Sequence, residues 1–287
     1  MLQIFDSSRR QETIVVVPCF NEAQRLDVLA YDEFLSASTD VTLLFVDDGS
    51  TDDTPLIMER LRQQHPRRVC TLRLASNVGK AEAVRRGVQV ALRRRPEIVG
   101  YWDADLATPL SGIPQLRDVL LARDNVSLVM GSRVALLGRK IRRRGVRHVL
   151  GRTFATAASL VLGLPVYDTQ CGAKLFRATP DVAELFARPF EARWIFDVEI
   201  LGRMIAAAKH DESTYVGESI YEQPLDRWQD VTGSRLKPLD FLVAAFDLAM
   251  IYSKYTRGAG RPAVAATSPS INANDVAELK AEHRKAA

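Results

Sequence analysis

Two aspartates one residue apart, Asp103 and Asp105, follow a short apolar run, Ile98-Val-Gly-Tyr-Trp102. Read as a buried strand, the run delivers both acids to its carboxyl end, the edge at which open α/β sheets bind ligands. Carboxylate oxygens are hard ligands, suited to Mg²⁺ or Mn²⁺ held by one or two side chains together with substrate phosphates. An Asp-x-Asp also arises in ordinary polar turns, so its weight comes from its neighbours. Two further apolar runs end alike: Thr13-Ile-Val-Val-Val17 passes into Pro18-Cys-Phe-Asn-Glu22, and Val41-Thr-Leu-Leu-Phe-Val46 into Asp47-Asp-Gly-Ser-Thr-Asp52. In a parallel sheet these ends share one edge, which gathers several carboxylates and a helix N-terminus at a common cleft. Such carboxylates repel one another unless a cation joins them, so a divalent metal and a base or sugar suit the cleft. The plainer reading, that Asp47, Asp48, Asp52 and Asp53 cap and solvate a turn, weighs most on Asp52 and Asp53.

The elements that must position these groups alternate. The β-branched run 13–17 reads as a buried parallel strand. Pro18 stops its ladder, and Asn21 is placed to cap a helix from Glu22 to Ser36. After strand 41–46, Thr54-Pro55 reads as N-cap and N1 of a helix to Gln64. A strand at 69–74, a helix opened by Asn77-Val-Gly-Lys80 and running to Arg94, and the strand before Asp103 complete a βαβαβαβ alternation, hence a parallel sheet covered on both faces. Beyond it the reading gives a helix 113–123, a strand 127–130 ending in Gly131-Ser-Arg133, and a basic loop, Gly138 to Arg147. An apolar helix 149–162, a turn at Tyr167 to Lys174 into a short strand, a helix 196–208, a strand 214–221 and a helix 239–255 follow.

The chain has 287 residues, 47% of them hydrophobic and 26% charged, with a formal net charge of +4. That is the composition of an ordinary globular domain, mildly basic and suited to an anionic partner. Cys19, Cys70 and Cys171 are odd in number and widely spaced, with neither metal nor disulfide spacing, so reduced cytosolic thiols are expected. No apolar signal core opens the chain, and its apolar stretches fall short of the roughly 20 residues a membrane-spanning helix needs. No recognition helix, zinc spacing or aromatic-interleaved basic strand supports a nucleic-acid partner. Nothing in the sequence assigns an oligomeric state.

The ordered motifs Val17-Pro-Cys-Phe-Asn-Glu22, Val46-Asp-Asp-Gly-Ser-Thr-Asp52, Asn77-Val-Gly-Lys80, Asp103-Ala-Asp105 and Gly131-Ser-Arg133 resemble those of the family 2 glycosyltransferases. Asp168-Thr-Gln-Cys-Gly-Ala-Lys174, Phe196-Asp-Val-Glu199 and Trp228-Gln-Asp-Val-Thr-Gly-Ser234 narrow the resemblance to the dolichyl-phosphate (polyprenyl-phosphate) β-glucosyltransferase branch, over about Thr13 to Tyr255. The resemblance implies a GT-A fold: an α/β, Rossmann-like, mostly parallel sheet flanked by helices, in a single catalytic domain. Its expected limits are 13–256, after an N-terminal extension 1–12 and before a mobile tail 257–287. It implies that Pro18, Glu22, Asp48, Lys80, Asp103 and Ala104 line the donor nucleotide site, with Asp48 accepting from a pyrimidine N3–H. Asp103 and Asp105 would hold Mg²⁺ or Mn²⁺ on the diphosphate of a UDP-sugar. Arg133 and Arg147 match positions that hold the acceptor phosphate in related lipid-phosphate mannosyltransferases, a role suited to the planar guanidinium fork. The expected reaction is inverting transfer of a hexose, glucose above others, to a polyprenyl phosphate. Ala81 stands where the family often has a second glycine, and Ala107 where the mannosyl enzymes commonly carry Gln, which favours glucose. A second domain of transmembrane helices, present in some relatives, is not expected.

Asp168 and Asp197 are the remaining candidate acids, for sugar hydroxyls or as a base were the acceptor an alcohol. Asp168 also fits an Asx turn, and of Asp197 and Glu199, two apart on one helix, one is expected in the cleft. Lys80 also reads as an exposed helix-start lysine. In the helix 239–255, Asp240, Asp247 and Lys254 recur every seven residues and should form one narrow polar stripe on an otherwise apolar helix. That helix, with the basic residues Arg139, Lys140, Arg142, Arg143 and Arg144, is expected to dock the protein peripherally on an anionic membrane, at its cytoplasmic face. The competing readings are a glycosyltransferase with a saccharide or other soluble acceptor, a nucleotidyltransferase, and a non-catalytic sugar-nucleotide or membrane-binding module.

Overall fold

The computed structural model describes residues 12–142, 145–208, 215–229 and 238–257, with the backbone alone at 142, 145–150 and 238–241. Seven strands form one sheet: β1 (Thr13–Cys19), β2 (Val41–Asp47), β3 (Val69–Arg73), β4 (Ile98–Trp102), β5 (Leu128–Ser132), β7 (Ala173–Arg177) and β8 (Ile220–Pro224), in the order β3-β2-β1-β4-β7-β5-β8. A separate short pair joins β6 (Lys140–Arg142) to β9 (Arg227–Gln229). Successive β1 residues face opposite sides of the sheet, as the period of two requires. Ile14 and Val16 join a core with α3 (Lys80–Leu92), α5 (Gly145–Leu162), α6 (Pro180–Leu185), α7 (Phe196–Ala208) and α8 (Pro238–Ile251). Val15 and Val17 join another with α1 (Val28–Ala37), α2 (Thr54–Gln64) and α4 (Gly112–Ala122).

The sheet is mostly parallel, as expected, and β7 alone of its seven strands runs antiparallel, between β4 and β5. Several other expectations need correction. Asn21 does not cap a helix. It takes φ 53°, which Asn tolerates, and its Oδ1 accepts from Thr51 N at 2.9 Å. The helix begins later, capped by Asp27, whose side chain accepts from Ala30 N at 3.1 Å. Asp53 rather than Thr54 precedes α2. The last expected strand sits later, at β8, behind a 3₁₀ turn Val216–Ser219. Part of the basic loop is strand β6, and Arg139 pairs with Asp226. The polar stripe of the final helix is not formed. Asp247 faces inward and is buried, Lys254 lies exposed against Glu191, and the Asp240 side chain lies outside the described residues. The outward face of α8 carries Leu242, Val243 and Phe246 instead. Arg143 and Arg144 lie outside the described residues, as does the expected tail from 258 onward.

Candidate active site

The carboxyl ends of β1 and β2 are laced together. Asn21 N donates to Ser50 Oγ (3.0 Å), Glu22 N to Thr54 Oγ1 (2.8 Å) and Ala23 N to Asp52 Oδ2 (3.1 Å). Asp52 therefore holds loops, and Asp47 does likewise by accepting from Ser50 N at 2.8 Å. Asp48 has a different task. Its two oxygens accept from Val78 N (2.8 Å) and Gly79 N (2.9 Å), which fixes the turn that starts α3. Burial raises its pKa above the usual carboxylate range, although both amide bonds oppose the shift. Gly79 adopts φ 94°, a conformation that favours glycine, and Lys80 is the first helical residue.

Lys80 reaches Asp103. Its Nζ lies 2.5 Å from Asp103 Oδ1. Asp103 also packs against Gly172, whose carbonyl accepts from Asp103 N at 2.9 Å. A Cβ on Gly172 would fall 2.1 Å from the Asp103 carboxyl carbon, so no larger residue fits there without displacement. Asp105 Oδ1 accepts from Ala107 N at 3.1 Å. Burial first, then the charge of Asp103, raises its pKa. Glu22 is also raised, by burial and by Asp105 and Asp103, against its ion pair with Arg25. Glu22 Oε2 and Asp103 Oδ1 are buried without a directed hydrogen bond. Three mutually repelling carboxylates thus lie near one another, an arrangement that suits a cation. Among the described residues no group of three or more His, Cys, Asp or Glu forms a ready metal cage. Further ligands must come from substrate or water, as Mg²⁺ and Mn²⁺ sites on phosphates use.

Beside these groups opens a cleft of about 1300 Å³, lined among others by Pro18, Glu22, Arg25, Asp48 and Lys80. The buried Tyr31 donates to the Ala104 carbonyl at 3.1 Å, so Ala104 is placed through its backbone.

The remaining candidates sit where β7 enters the sheet. Arg133 binds Asp168 through both arms, Nε to Oδ2 at 2.6 Å and Nη2 to Oδ1 at 2.7 Å, and its backbone N adds a third bond at 3.0 Å. Although burial disfavours its charge, Asp168 holds the guanidinium pKa above its usual value. Asp168 also accepts from Gln170 N at 3.3 Å, the Asx turn. The Arg133 guanidinium lies over the Trp228 ring, 5.3 Å from its centroid. Asp197 is not in the cleft. It is the counter-ion of Lys174, a fully buried lysine whose Nζ donates to Asp197 Oδ1 (2.5 Å), Cys171 O (2.7 Å) and Thr169 O (2.9 Å). Glu199 accepts from Glu191 N and Ala192 N, both at 2.8 Å, and pairs with Arg203. The expectation that one of this pair lines the cleft is therefore not met: each is consumed by partners in the core. Arg147 lies in α5, where the backbone alone is described.

Gly172, Lys174 and Arg25 were not singled out from sequence. Lysine inside Ala173-Lys-Leu-Phe176, a run otherwise apolar, is the signal that was available, because a buried cation must find an anion.

Residues 14–182 match the glycosyl transferase family 2 domain. The dolichyl-phosphate β-glucosyltransferase of Drosophila melanogaster is 34% identical over 276 residues, 89% of this chain and 79% of that protein. The human enzyme of the same name is 30% identical over 280 residues, 90% of this chain and 80% of that protein. Among solved structures, glucosyl-3-phosphoglycerate synthase of Mycobacterium tuberculosis, with Mn²⁺, UDP and glucosyl-3-phosphoglycerate, superposes with a TM-score of 0.57 over 85% of this chain and 80% of that one. At 22% identity that likeness concerns the fold.

Proposed function

The chain belongs to glycosyl transferase family 2, and on that premise we propose that it moves glucose from UDP-glucose to a polyprenyl (dolichyl-type) phosphate, with inversion and with Mg²⁺ or Mn²⁺. The observation that carries the donor half is Lys80, which lines the Asp48 cleft and pairs with Asp103 of the Asp103 and Asp105 pair. The names of relatives that match along most of this chain support glucose and the lipid phosphate. The M. tuberculosis synthase, crystallised with Mn²⁺ and UDP-glucose, supports donor and metal. Asp103 and Asp105 would hold the metal, which when bound supplies charge stabilisation to the departing diphosphate. Pro18, Glu22 and Asp48 would receive the nucleoside, and Lys80 the diphosphate.

The geometry favours a phosphate acceptor over an alcohol. An alcohol needs a base, and the two acids nominated for that task are engaged, Asp168 by Arg133 and Asp197 by Lys174. A phosphate is already ionised at neutral pH. Its oxygen would attack the anomeric carbon as the bond to UDP breaks, and the protein would contribute positioning and electrostatics. Arg133, with Arg147, would face the acceptor phosphate.

Peripheral membrane association is part of this proposal, at the cytoplasmic face. No helix among the described residues is long and apolar enough to cross a membrane. The outward face of α8 is apolar while its acid Asp247 points inward, with Leu242 at 70% and Phe246 at 75% exposure. Leu160 of α5, a helix in contact with α8, is exposed as well. A surface of this kind suits a lipid interface, where a polyprenyl chain must stay while its phosphate reaches the cleft.

The test is transfer of radiolabelled glucose from UDP-glucose to polyprenyl phosphate, read as lipid-extractable product. We expect product in Mn²⁺, none in excess EDTA, and none from Asp105→Ala. Label in a soluble saccharide but not in lipid would replace the acceptor, and full activity of Asp105→Ala would reject the metal assignment.

A further inference from the structure

The pairing of Lys80 with Asp103 has a consequence for how the donor site fills. Asp103 is one of the two acids that would hold the metal, yet the Oδ1 that lacks a directed hydrogen bond is covered by Lys80 Nζ at 2.5 Å. Lys80 is a movable cover. It stands at the first position of α3, behind a cap residue, Gly79, that offers no side-chain acceptor to the first-turn amides. Its side chain is 45% exposed, while its charge is held among Asp103, Asp105 and Asp197. A helix N-terminus carries partial positive charge and disfavours a cation. Lys80 is therefore held in place by the carboxylates and not by its own helix. The same helix end, with Lys80 on it, favours a diphosphate.

We propose that Lys80 is the resident cation of Asp103 in the donor-free protein, and that metal and diphosphate enter by exchanging partners with it: the metal takes Asp103 and the diphosphate takes Lys80. This rests on the donor and metal assignments above. A metal arriving alone must evict Lys80 and leave its ammonium without an anion in the cleft. A diphosphate arriving alone must approach Glu22, Asp103 and Asp105 with their charges unmatched. Arriving together, each supplies what the other displaces, so the two bind cooperatively. Lys80 contributes to that cooperativity beyond any direct contact between metal and phosphate. By linkage the metal strengthens the diphosphate by the same factor as the diphosphate strengthens the metal.

Two measurements on the full chain test it, and neither uses turnover. Mn²⁺ binding, read by electron paramagnetic resonance of free Mn²⁺, is compared for wild type and Lys80→Met with and without UDP. Removing the competitor should tighten Mn²⁺ binding without UDP about tenfold, within the usual range of coupling factors, and shrink the gain from UDP by a similar factor. Loss of a positive charge would also tighten metal binding through the general field, so the second measurement follows Lys80 itself. Amine acetylation of the wild type is read by mass spectrometry with its other lysines as standards. Saturating Mg²⁺ alone should raise labelling of Lys80, and Mg²⁺ with UDP should lower it again. Labelling indifferent to Mg²⁺, or a Lys80→Met variant that binds Mn²⁺ no tighter than wild type, overturns the exchange while leaving the metal assignment standing. A wild type that binds no Mn²⁺ with or without UDP overturns both.

Discussion

Gly172→Ala should disable the enzyme while leaving it folded. A Cβ at that position would lie 2.1 Å from both Cγ and Oδ2 of Asp103 and 2.3 Å from Oδ1. Ordinary contacts between heavy atoms begin near 3.5 Å, so the carboxylate must retreat by about 1.4 Å. Neither backbone can yield easily. Asp103 N is bonded to Gly172 O, and the next pair along, Trp102 and Ala173, is in the ladder between β4 and β7. The side chain is what moves, out of the geometry it shares with Lys80 and Asp105. A misplacement of about 1 Å at a catalytic centre costs on the order of 100-fold in rate. The strain of one extra methyl costs about 1–3 kcal/mol of stability. Gly87→Ala supplies the comparison, because its Cβ would meet Val16 Cγ1 at 2.4 Å in the core beneath α3, away from the carboxylates. Both variants should lose stability in urea titrations, but only Gly172→Ala should lose kcat and Mn²⁺ affinity per folded molecule. A Gly172→Ala enzyme with kcat within about twofold of wild type, and unaltered Mn²⁺ affinity, would refute the placement of Asp103 against this loop.

Asp48→Asn should weaken UDP binding by about 1.5–3 kcal/mol, since an amide replaces a charged acceptor and turns an NH₂ toward Val78 N or Gly79 N; calorimetry showing unchanged affinity would reject its role. Arg133→Ala removes the guanidinium from the buried Asp168 carboxylate and should cost about 3–5 kcal/mol of stability. It should also raise KM for polyprenyl phosphate more than for UDP-glucose, and equal effects would confine Arg133 to holding Asp168. Phe246→Asp should reduce flotation with anionic vesicles containing polyprenyl phosphate, and a wild type that stays at the bottom of the gradient would end the docking proposal. Asp247→Asn should raise thermal stability at neutral pH. Burial, then Glu199, raises the Asp247 pKa in the folded state, so its ionisation costs stability once pH exceeds the ordinary value of about 3.9. The advantage of the variant should shrink to nothing as pH falls to that value, and a pH-independent difference would assign the effect to packing.

What was legible in the sequence is what is local. The runs 13–17, 41–46 and 98–102 are contiguous and apolar, and each ends in its own polar turn, so both the strands and the acids at their ends could be read without knowing their neighbours. The lacing between turns was not legible: Asn21 looks like a helix cap because the residue it serves, Thr51, belongs to another strand end. The helix 239–255 failed differently. It is apolar nearly all round, so charge spacing alone could not say which side meets the protein. Only its packing on α7 and α5 decides that Asp247 faces inward and Phe246 outward.

The larger gap concerns β7, and it explains why the partners of Asp168 and Asp197 could not be read from the sequence. In a parallel sheet the chain arrives at the ligand edge by leaving a strand. An antiparallel strand arrives there by entering, and β7, between β4 and β5, begins at their carboxyl ends with Ala173 opposite Trp102. The segment before it, Asp168 to Gly172, is thereby laid across the ligand edge, with Gly172 against Asp103 at one end and Asp168 on Arg133 at the other. Such a loop needs an anchor, because Thr169 and Cys171 are buried and their carbonyls must be satisfied. Lys174, one residue into the strand, points back and donates to both, and Asp197 neutralises it. Asp168, at the ligand edge, and Asp197, beneath it in the core, are therefore engaged in holding this loop. The polar residues that resemble spare catalysts in the sequence make an antiparallel entry to this edge possible, and the carboxylates assigned to the donor follow β1, β2 and β4, where the chain departs.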